Sequence, residues 1–254
     1  MILNLFSSMS DNYSSNSQKI RVLTENWVNE HVYCPNCGNN IHEYENNRPV
    51  ADFYCQTCNE DYELKSKNSK ILGKTIADGA YNTMIDRITS ETNPNLFFLN
   101  YDKNSYDIVN FLAVPSYLFV PNMVIPRKKG IPNRPNYIMC NIDISSIPSS
   151  GKIFYIKDKQ VQSKTQILDE WNKISFLKES SNVQSKGWLL DIIKCIEKLE
   201  KVNFSLNDMY QFEKYLKMQH PENNNIQAKI RQQLQILRDK NYLKFESRGK
   251  YTLR

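Results

Sequence analysis

Two Cys-x-x-Cys pairs and a short charged run decide the fold of the first half of the chain: Cys34-Pro-Asn-Cys37, Cys55-Gln-Thr-Cys58 and Glu63-Leu-Lys65. Seventeen residues separate the two pairs, a spacing that is typical of zinc ribbons. Each pair offers two thiolates from a tight turn, and four thiolates complete the closed tetrahedral shell of a structural Zn²⁺. We therefore predict a zinc ribbon over residues 34–58, with Zn²⁺ bound by Cys34, Cys37, Cys55 and Cys58.

The remaining cysteines and the nearby histidines are not needed as zinc ligands. A redox role explains one Cys-x-x-Cys pair but leaves the second idle, and disulfides are disfavoured inside cells. Cys140 and Cys195 lie in apolar runs and are predicted to be core residues. His31 and His42 lie close to the pairs in sequence, and we interpret them as bystanders.

Acidic and basic residues are interleaved with the zinc ribbon. Apolar residues 49–51 predict a strand that ends at Asp52, and Glu63 and Lys65 lie two apart, so they share one face of a second strand. If the strands pair, two carboxylates and an ammonium converge. Mg²⁺ takes carboxylate ligands and polarises phosphoryl groups. The pattern favours phosphodiester hydrolysis by Asp52, Glu63 and Lys65, with Asp52 and Glu63 as Mg²⁺ ligands. The alternative is a solvated cluster of surface ion pairs.

Length and composition narrow the class of protein. The chain has 254 residues, which fits one large domain or two smaller ones. Its mean hydropathy is −0.59, and no apolar stretch approaches the roughly 20 residues of a membrane-spanning helix. The opening run has no basic region before it, so we predict no signal peptide and a cytoplasmic protein. Glycine is scarce and no phosphate-binding loop is present, which excludes a nucleotide cofactor of that kind. We expect a monomer.

Three regions follow from the pattern of the chain. Residues 1–17 are rich in Ser and Asn and are predicted to be a disordered tail. Residues 18–182 predict an α/β (α+β) body, and a polar stretch over 179–187 marks its end. Within the body, helices are predicted from Ser17, as a cap, to His31 and over 75–88. Continuous apolar runs predict buried strands at 96–99 and 111–114, with further strands at 138–144 and 153–156.

Residues 183–254 predict a winged-helix DNA-binding domain. Trp188, Ile192 and Ile196 recur at helical spacing, and Ser205 with Asp208 forms a capping box that begins a second helix. A third helix over 226–240 precedes a hairpin. Residues 226–254 contain eight Lys or Arg and two Asp or Glu, so they carry the whole +6 excess of the chain. A basic surplus of this kind indicates a polyanionic partner, although a solvated basic tail has the same composition.

Two segments carry candidate DNA-contacting residues. The third helix has an apolar stripe opposite a polar face without acids before Asp239, as a reading helix needs. Arg pairs with guanine and Gln with adenine in the major groove, and wing cations suit phosphates. A proline-rich basic loop could also lie along DNA or pack on its own domain. The candidates are Gln227, Arg231, Gln232, Gln235, Arg238, Lys244, Arg248 and Lys250 in the winged helix, and Arg127, Lys128 and Arg134 in the loop.

Residues 34–65, together with Asp78-Gly-Ala-Tyr81, Cys140-Asn-Ile-Asp143 and Asp208-Met-Tyr210, resemble the DpnI family of methyl-directed type II restriction endonucleases. The resemblance implies a PD-(D/E)XK nuclease domain with an inserted zinc ribbon, followed by a winged helix. It implies Mg²⁺-dependent cleavage of double-stranded DNA at GATC containing N6-methyladenine. The metal-binding acids of the superfamily map onto Asp52 and Glu63, and its lysine onto Lys65. One departure is Pro49, which lies three residues before Asp52 and not next to it.

Two other functions compete with the nuclease. A non-catalytic transcription regulator with a zinc ribbon and a winged helix explains the cysteines and the basic C-terminal region. It leaves the spacing of Asp52, Glu63 and Lys65 without a reason. A nonspecific repair nuclease explains that spacing, but it has no use for a dedicated DNA-reading domain. Digestion of one plasmid with and without adenine methylation separates these hypotheses.

Overall fold

The structure is a computed structural model, and it describes residues 1–6, 15–45, 51–90, 92–131, 133–179 and 183–254. The chain forms two compact units. The N-terminal unit contains residues 1–146 and 150–172, and the C-terminal unit contains residues 147–149 and 173–254. None of the helices in the described residues is both long and apolar enough to span a bilayer.

The N-terminal unit consists of three α-helices and ten strands, joined by short 3₁₀ turns, in the described part of the chain. Its helices are α1 (Asn16–His31), α2 (Tyr81–Thr89) and α3 (Lys164–Ile174). Its strands are β1 (His42–Glu43), β2 (Phe53–Tyr54), β3 (Asp61–Asn68), β4 (Thr75–Ala80), β5 (Asn95–Tyr101), β6 (Ile108–Val114), β7 (Val124–Pro126), β8 (Met139–Asp143), β9 (Ile153–Lys157) and β10 (Gln160–Val161).

A seven-stranded sheet in the order β1-β2-β3-β5-β6-β9-β10 forms the main layer of this unit. Every residue of β5 and β6 is buried, as the continuous apolar runs predict for central strands. β3 and β5 pair in parallel, and Asn95 holds their alignment. The buried amide of Asn95 donates to the Glu60 carboxylate at 2.8 Å and to the Asp61 carbonyl at 3.0 Å. A second, antiparallel sheet has the order β4-β8-β7.

Stacked aromatic rings fill the core against one face of the large sheet. Tyr62 of β3 stacks on Phe97 of β5 with ring centroids 4.4 Å apart, and Phe97 packs on Phe111 of β6 at 5.3 Å. Trp27 of α1 meets Phe111 edge-on at 5.3 Å, so the helix closes this layer. Buried aromatic pairs of this kind add about 0.5–1.5 kcal/mol each beyond their area. The packing leaves Glu63 and Lys65, the neighbours of Tyr62 and Leu64 along β3, on the opposite face.

The N-terminal residues differ from the predicted disordered tail. Leu5 is buried, Asn4 forms a β-bridge with Asp107, and the indole of Trp27 donates to the carbonyl of Ile2 at 2.8 Å. Residues 7–14 of the predicted tail lie outside the described residues. Helix α1 begins at Asn16 after Ser15, so the predicted cap at Ser17 is wrong by two positions.

The predicted helix over 75–88 is also wrong in its first half. Residues Thr75–Ala80 form β4, and the helix begins only at Tyr81. Antiparallel pairing with β8 supplies the hydrogen bonds that an isolated helical turn would otherwise make internally. Local periodicity could not show this, because the partner strand lies more than 50 residues further along the chain.

The C-terminal unit has the helices and hairpin of a winged helix, with one additional short strand. Its elements are α4 (Val183–Lys198), β11 (Asn203–Ser205), α5 (Leu206–Tyr210), α6 (Glu213–Gln219), α7 (Ile226–Asp239), β12 (Leu243–Ser247) and β13 (Lys250–Leu253). The three strands form an antiparallel sheet in the order β11-β13-β12. Both bonds of the predicted capping box between Ser205 and Asp208 are present.

The C-terminal unit begins earlier in the chain than the predicted boundary between residues 182 and 183. Phe176 packs on Tyr242 with ring centroids 5.9 Å apart, and the ammonium of Lys173 lies 5.8 Å from the same ring. These contacts attach residues 173–179 to this unit, and Ile174 and Leu177 are the buried residues of the segment.

Candidate metal centres and nucleic-acid interface

The four predicted zinc ligands form one cluster. Two similar turns present them, one after α1 and one between β2 and β3. In each turn the backbone carbonyl of the first cysteine accepts a hydrogen bond from the N–H of the residue that follows the second cysteine. That residue is Gly38 in the first turn and Asn59 in the second, and both have a positive φ. The glycine fits such a conformation without strain. All four sulfur atoms lie within 4.8 Å of one another.

The geometry of the cluster fits Zn²⁺. Cys34 and Cys58 have sulfur atoms 3.4 Å apart, as do Cys37 and Cys55. Sulfurs bound tetrahedrally at about 2.3 Å from zinc are separated by about 3.8 Å. Burial opposes ionisation of the Cys37 thiol, but hydrogen bonds from Asn39, Cys55 and Cys34 together lower the pKa of Cys37 to about 7. Burial raises the pKa values of Cys34 and Cys58 instead, so the fit to zinc rests on the four sulfur donors and their spacing.

Tyr62 connects the cysteine cluster to the core. Its hydroxyl lies 3.0 Å from the Cys34 sulfur, while its ring stacks on Phe97. The next residue along β3 is Glu63, whose side chain emerges on the other face of the sheet. The position of the cluster and the position of Glu63 are thus coupled through one strand.

Asp52, Glu63 and Lys65 lie together, as the sequence predicts. All three line one cavity of about 730 Å³ beside α1. Asp52 is placed by β3 itself, because its backbone N–H donates to the carbonyl of Tyr62 at 2.9 Å and its carboxylate accepts from the N–H of Leu64 at 2.7 Å. Residues 49 and 50 of the predicted lead-in strand, including Pro49, lie outside the described residues.

Negative charge is crowded around Asp52. Burial raises the pKa of Asp52 above its ordinary value, the bond from Leu64 opposes this, and the charge of Glu63 raises it further. Glu25 of α1 lines the same cavity, and burial raises the pKa of its carboxyl. The guanidinium of Arg21, 2.7 Å from the Glu25 carboxylate, lowers this pKa, and the charge of Asp52 raises it. Mg²⁺ prefers carboxylate oxygens as ligands. A divalent cation would also neutralise the negative charges that are crowded at this site.

Sequence reasoning missed two charged residues at this site, Asp78 of β4 and Arg87 of α2. The Lys65 ammonium lies 2.6 Å from the Glu63 carboxylate and 2.8 Å from that of Asp78. Arg87 binds the second oxygen of Glu63 at 2.7 Å. The wrong helix over 75–88 concealed Asp78. The sequence offers no signal for this strand, because its two buried positions are one apolar residue, Ile76, and one charged residue, Asp78, so hydropathy does not alternate along it.

The predicted basic loop follows β7 and lies close to this site. A second cavity of about 290 Å³ is lined by Glu63, Lys65, Asp78 and also Tyr137 from the loop before β8. Arg127 is half-buried and donates to the side chain of Asn141 at 3.3 Å. Lys128 and Arg134 are exposed, so they are the better placed to contact a phosphate.

The predicted reading face of the winged helix is exposed. The apolar stripe of α7 is buried together with Gln233, and the other glutamines and the arginines of the helix are exposed. Two contacts were not apparent from sequence. Arg231 donates to the Tyr210 hydroxyl at 2.6 Å, and Gln227 donates to the Glu213 carboxylate at 2.8 Å. The exposed predicted residues are Gln227, Arg231, Gln232, Gln235 and Arg238 on α7, and Lys244, Arg248 and Lys250 on the wing.

Some of these exposed side chains have partners within the chain. Gln232 accepts from Lys229 at 2.8 Å, Arg238 pairs with Asp239 at 2.8 Å, and Lys244 pairs with Glu246 at 3.0 Å. Surface pairs of this kind contribute little to stability. They leave the side chains available to an external phosphate or base.

Comparison with known families agrees with this arrangement. Residues 1–180 match the family model described as DpnI, the Dam-replacing family, and residues 184–253 match DpnI_C, the Dam-replacing HTH domain. The chain belongs to the DpnI family. Membership of the DpnI family supports a methyl-dependent restriction nuclease, and the HTH match supports DNA binding by the C-terminal unit. The mixed α/β domain with its cysteine cluster and the following HTH domain confirm the predicted fold class.

Replacing Asp52 with Asn is expected to raise the melting temperature near neutral pH. The folded state holds the Asp52 proton more tightly than the unfolded chain, because burial raises its pKa. The ionised carboxylate therefore costs stability at neutral pH, and this cost disappears as the pH falls below the ordinary carboxyl value of about 3.9. Thermal melts of wild type and Asp52→Asn at neutral and acidic pH measure the difference, and the exposed Asp86→Asn is the control. A lower melting temperature for Asp52→Asn at neutral pH would contradict the prediction.

Cys34→Ser is expected to reduce bound zinc and to lower the melting temperature of the N-terminal unit. The reason is that metal-binding free energy contributes directly to folding at a structural site. Metal analysis and calorimetry of the whole chain test this. Cys140→Ser, a buried cysteine outside the cluster, should keep its zinc. Full stability of a Cys34→Ser protein that contains no zinc would show that the metal is not structural.

Proposed function

We propose that this protein is a Mg²⁺-dependent type II restriction endonuclease that cleaves double-stranded DNA at GATC containing N6-methyladenine. The observation that carries the proposal is the meeting of Asp52, Glu63 and Lys65 in one cavity, on a chain that belongs to the DpnI family. The proposal includes a cytoplasmic monomer that uses no nucleotide cofactor.

The acidic residues and the lysine have separate roles in the proposed reaction. Asp52 and Glu63 would hold Mg²⁺, which when bound supplies polarisation of the scissile phosphate and a lower pKa for an attacking water. The Lys65 ammonium orients that water and stabilises the negative charge that develops on the phosphate oxygens. Burial within the sheet keeps these side chains in place before DNA arrives, so the charges need little reorganisation.

Zinc has a structural role in this proposal. The cysteine cluster contacts the hydroxyl of Tyr62, whose ring lies on the core face of the sheet, while the next residue, Glu63, lies on the opposite face and lines the cavity together with Asp52. Four thiolates would fill the coordination shell of zinc and leave no position for water or substrate. Zn²⁺ therefore supports the strand and takes no part in hydrolysis.

The C-terminal unit supplies DNA affinity and sequence reading. Its exposed reading residues are backed by a buried apolar stripe, and the positive excess of the whole sequence lies in residues 226–254. Binding through phosphates releases counterions and is therefore salt-dependent. The loop that carries Lys128 and Arg134 offers a second contact near the cleavage site.

Glu63→Gln is expected to abolish cleavage and to leave DNA binding intact. It removes the charge that would hold the metal, while phosphate contacts elsewhere provide most of the affinity. The assay is digestion of one plasmid prepared with and without adenine methylation, and only methylated GATC should be cut. Glu45→Gln, an exposed change of the same charge, is the control. A nuclease that cuts both plasmids equally would be the nonspecific repair enzyme, and binding with no cleavage by wild type would favour the transcription regulator.

Arg231→Ala in the isolated C-terminal unit is expected to lower specific binding by about 1–3 kcal/mol if Arg231 pairs with a guanine. Lys244→Ala should weaken binding to all sequences alike, since a phosphate contact carries no base information. The fragment should begin at Lys173, because Phe176 packs on Tyr242 of this unit. Titrations with methylated, unmethylated and scrambled duplexes at two salt concentrations measure both effects. Equal affinity for all three duplexes would assign specificity to the N-terminal unit and its basic loop.

A further inference from the structure

Asp78 is a buried carboxylate on a strand that bulges at the residue that follows it. β4 pairs with β8 through Asp78 opposite Cys140 and Ala80 opposite Met139, so Gly79 is an extra residue in β4. Bulges of this kind commonly re-aim a side chain next to a functional site. The side chain of Asp78 is only 6% exposed, and its carboxylate contacts the Lys65 ammonium at 2.8 Å.

The Lys65 ammonium lies between the carboxylates of Glu63 and Asp78, which differ in their other contacts. Glu63 contacts the ammonium at 2.6 Å, binds Arg87 with its other oxygen, and is one of the two proposed Mg²⁺ ligands. Asp78 belongs to a different strand and faces the smaller cavity, whereas Asp52 faces the larger one. When Glu63 is engaged by metal, Asp78 is the carboxylate that remains to hold Lys65.

We propose that Asp78 is a positioning residue that holds the Lys65 ammonium in place for hydrolysis. This inference rests on the proposed nuclease function and adds a fourth residue to its machinery. A lysine side chain is a flexible four-carbon stem with a compact charge. A fixed buried acceptor restricts that stem, so the ammonium stays directed at the reacting phosphate and does not follow Glu63 towards the metal.

Two other roles for Asp78 give different measurable effects. A third metal ligand would raise the Mg²⁺ concentration needed for half-maximal activity when it is removed. A purely structural ion pair would lower stability and leave the rate of the folded enzyme unchanged. A positioning residue lowers the rate of the chemical step while DNA affinity and the Mg²⁺ requirement stay the same.

The test compares full-length wild type, Asp78→Asn, Asp78→Ser, Asp78→Glu and Asp86→Asn. The readout is single-turnover cleavage of a methylated GATC duplex, with DNA binding measured in Ca²⁺ and a Mg²⁺ titration of the rate. The rate of Asp78→Asn should fall about 10- to 100-fold, the usual cost of removing a partner of a functional group at a metal site. Asp78→Glu keeps the carboxylate and should be faster than either neutral variant. Asp86→Asn, on the exposed side of α2, should cleave at the wild-type rate.

Several results would overturn the inference. These are a wild-type rate for folded Asp78→Asn or Asp78→Ser, an increased Mg²⁺ requirement, or equal rates for the Asn and Glu variants. Loss of the melting transition in both neutral variants would make Asp78 a structural residue and would also overturn it. Absence of cleavage by wild type would remove the proposed function and this inference together, whereas cleavage by wild type with unaffected Asp78 variants removes the inference alone.

Discussion

The register of β3 is the constraint on which the arrangement of the N-terminal unit depends. Tyr62 faces the aromatic core while Glu63 and Lys65 face the cavities. A slip of one residue would exchange these faces and bury two charges. Asn95 resists that slip, because a buried amide loses its hydrogen bonds to Glu60 and the β3 backbone if the strands move. The same register of β3 is therefore required both for core packing and for the position of the charged residues.

The cysteine cluster lies at the edge of this sheet where the strands are shortest. β1 and β2 have two residues each, too short for stable pairing on their own. Asp52 lies immediately before β2 and depends on that edge for its position against β3. A metal bound by cysteines from both turns would replace the missing strand contacts. With a metal bound, the cluster would hold the chain around Asp52 in place without any contact between the metal and the acids.

The extent to which sequence predicted this structure depended on the range of the interactions. The clustering of the four cysteines follows from their spacing, and the shared face of Glu63 and Lys65 follows from strand alternation, so both could be predicted. The capping box at Ser205 is equally local and is confirmed. The contact of Lys65 with Asp78 requires a bulge and a distant partner strand, which no local pattern encodes. Leu5 is buried by tertiary packing, and the polar sequence that follows it gave no indication of this.

The distribution of charge separates the proposed cleavage site from the region that attracts DNA. At the proposed cleavage site the charges of Lys65 and Arg87 are balanced by Glu63 and Asp78, and Asp52 adds a further negative charge. Such a site does not attract a polyanion by itself. Residues 226–254 carry the entire positive excess of the sequence, so long-range attraction to DNA originates there. If the proposed function holds, the buried charges are free to satisfy the geometry of hydrolysis, because affinity for DNA is supplied by another part of the chain.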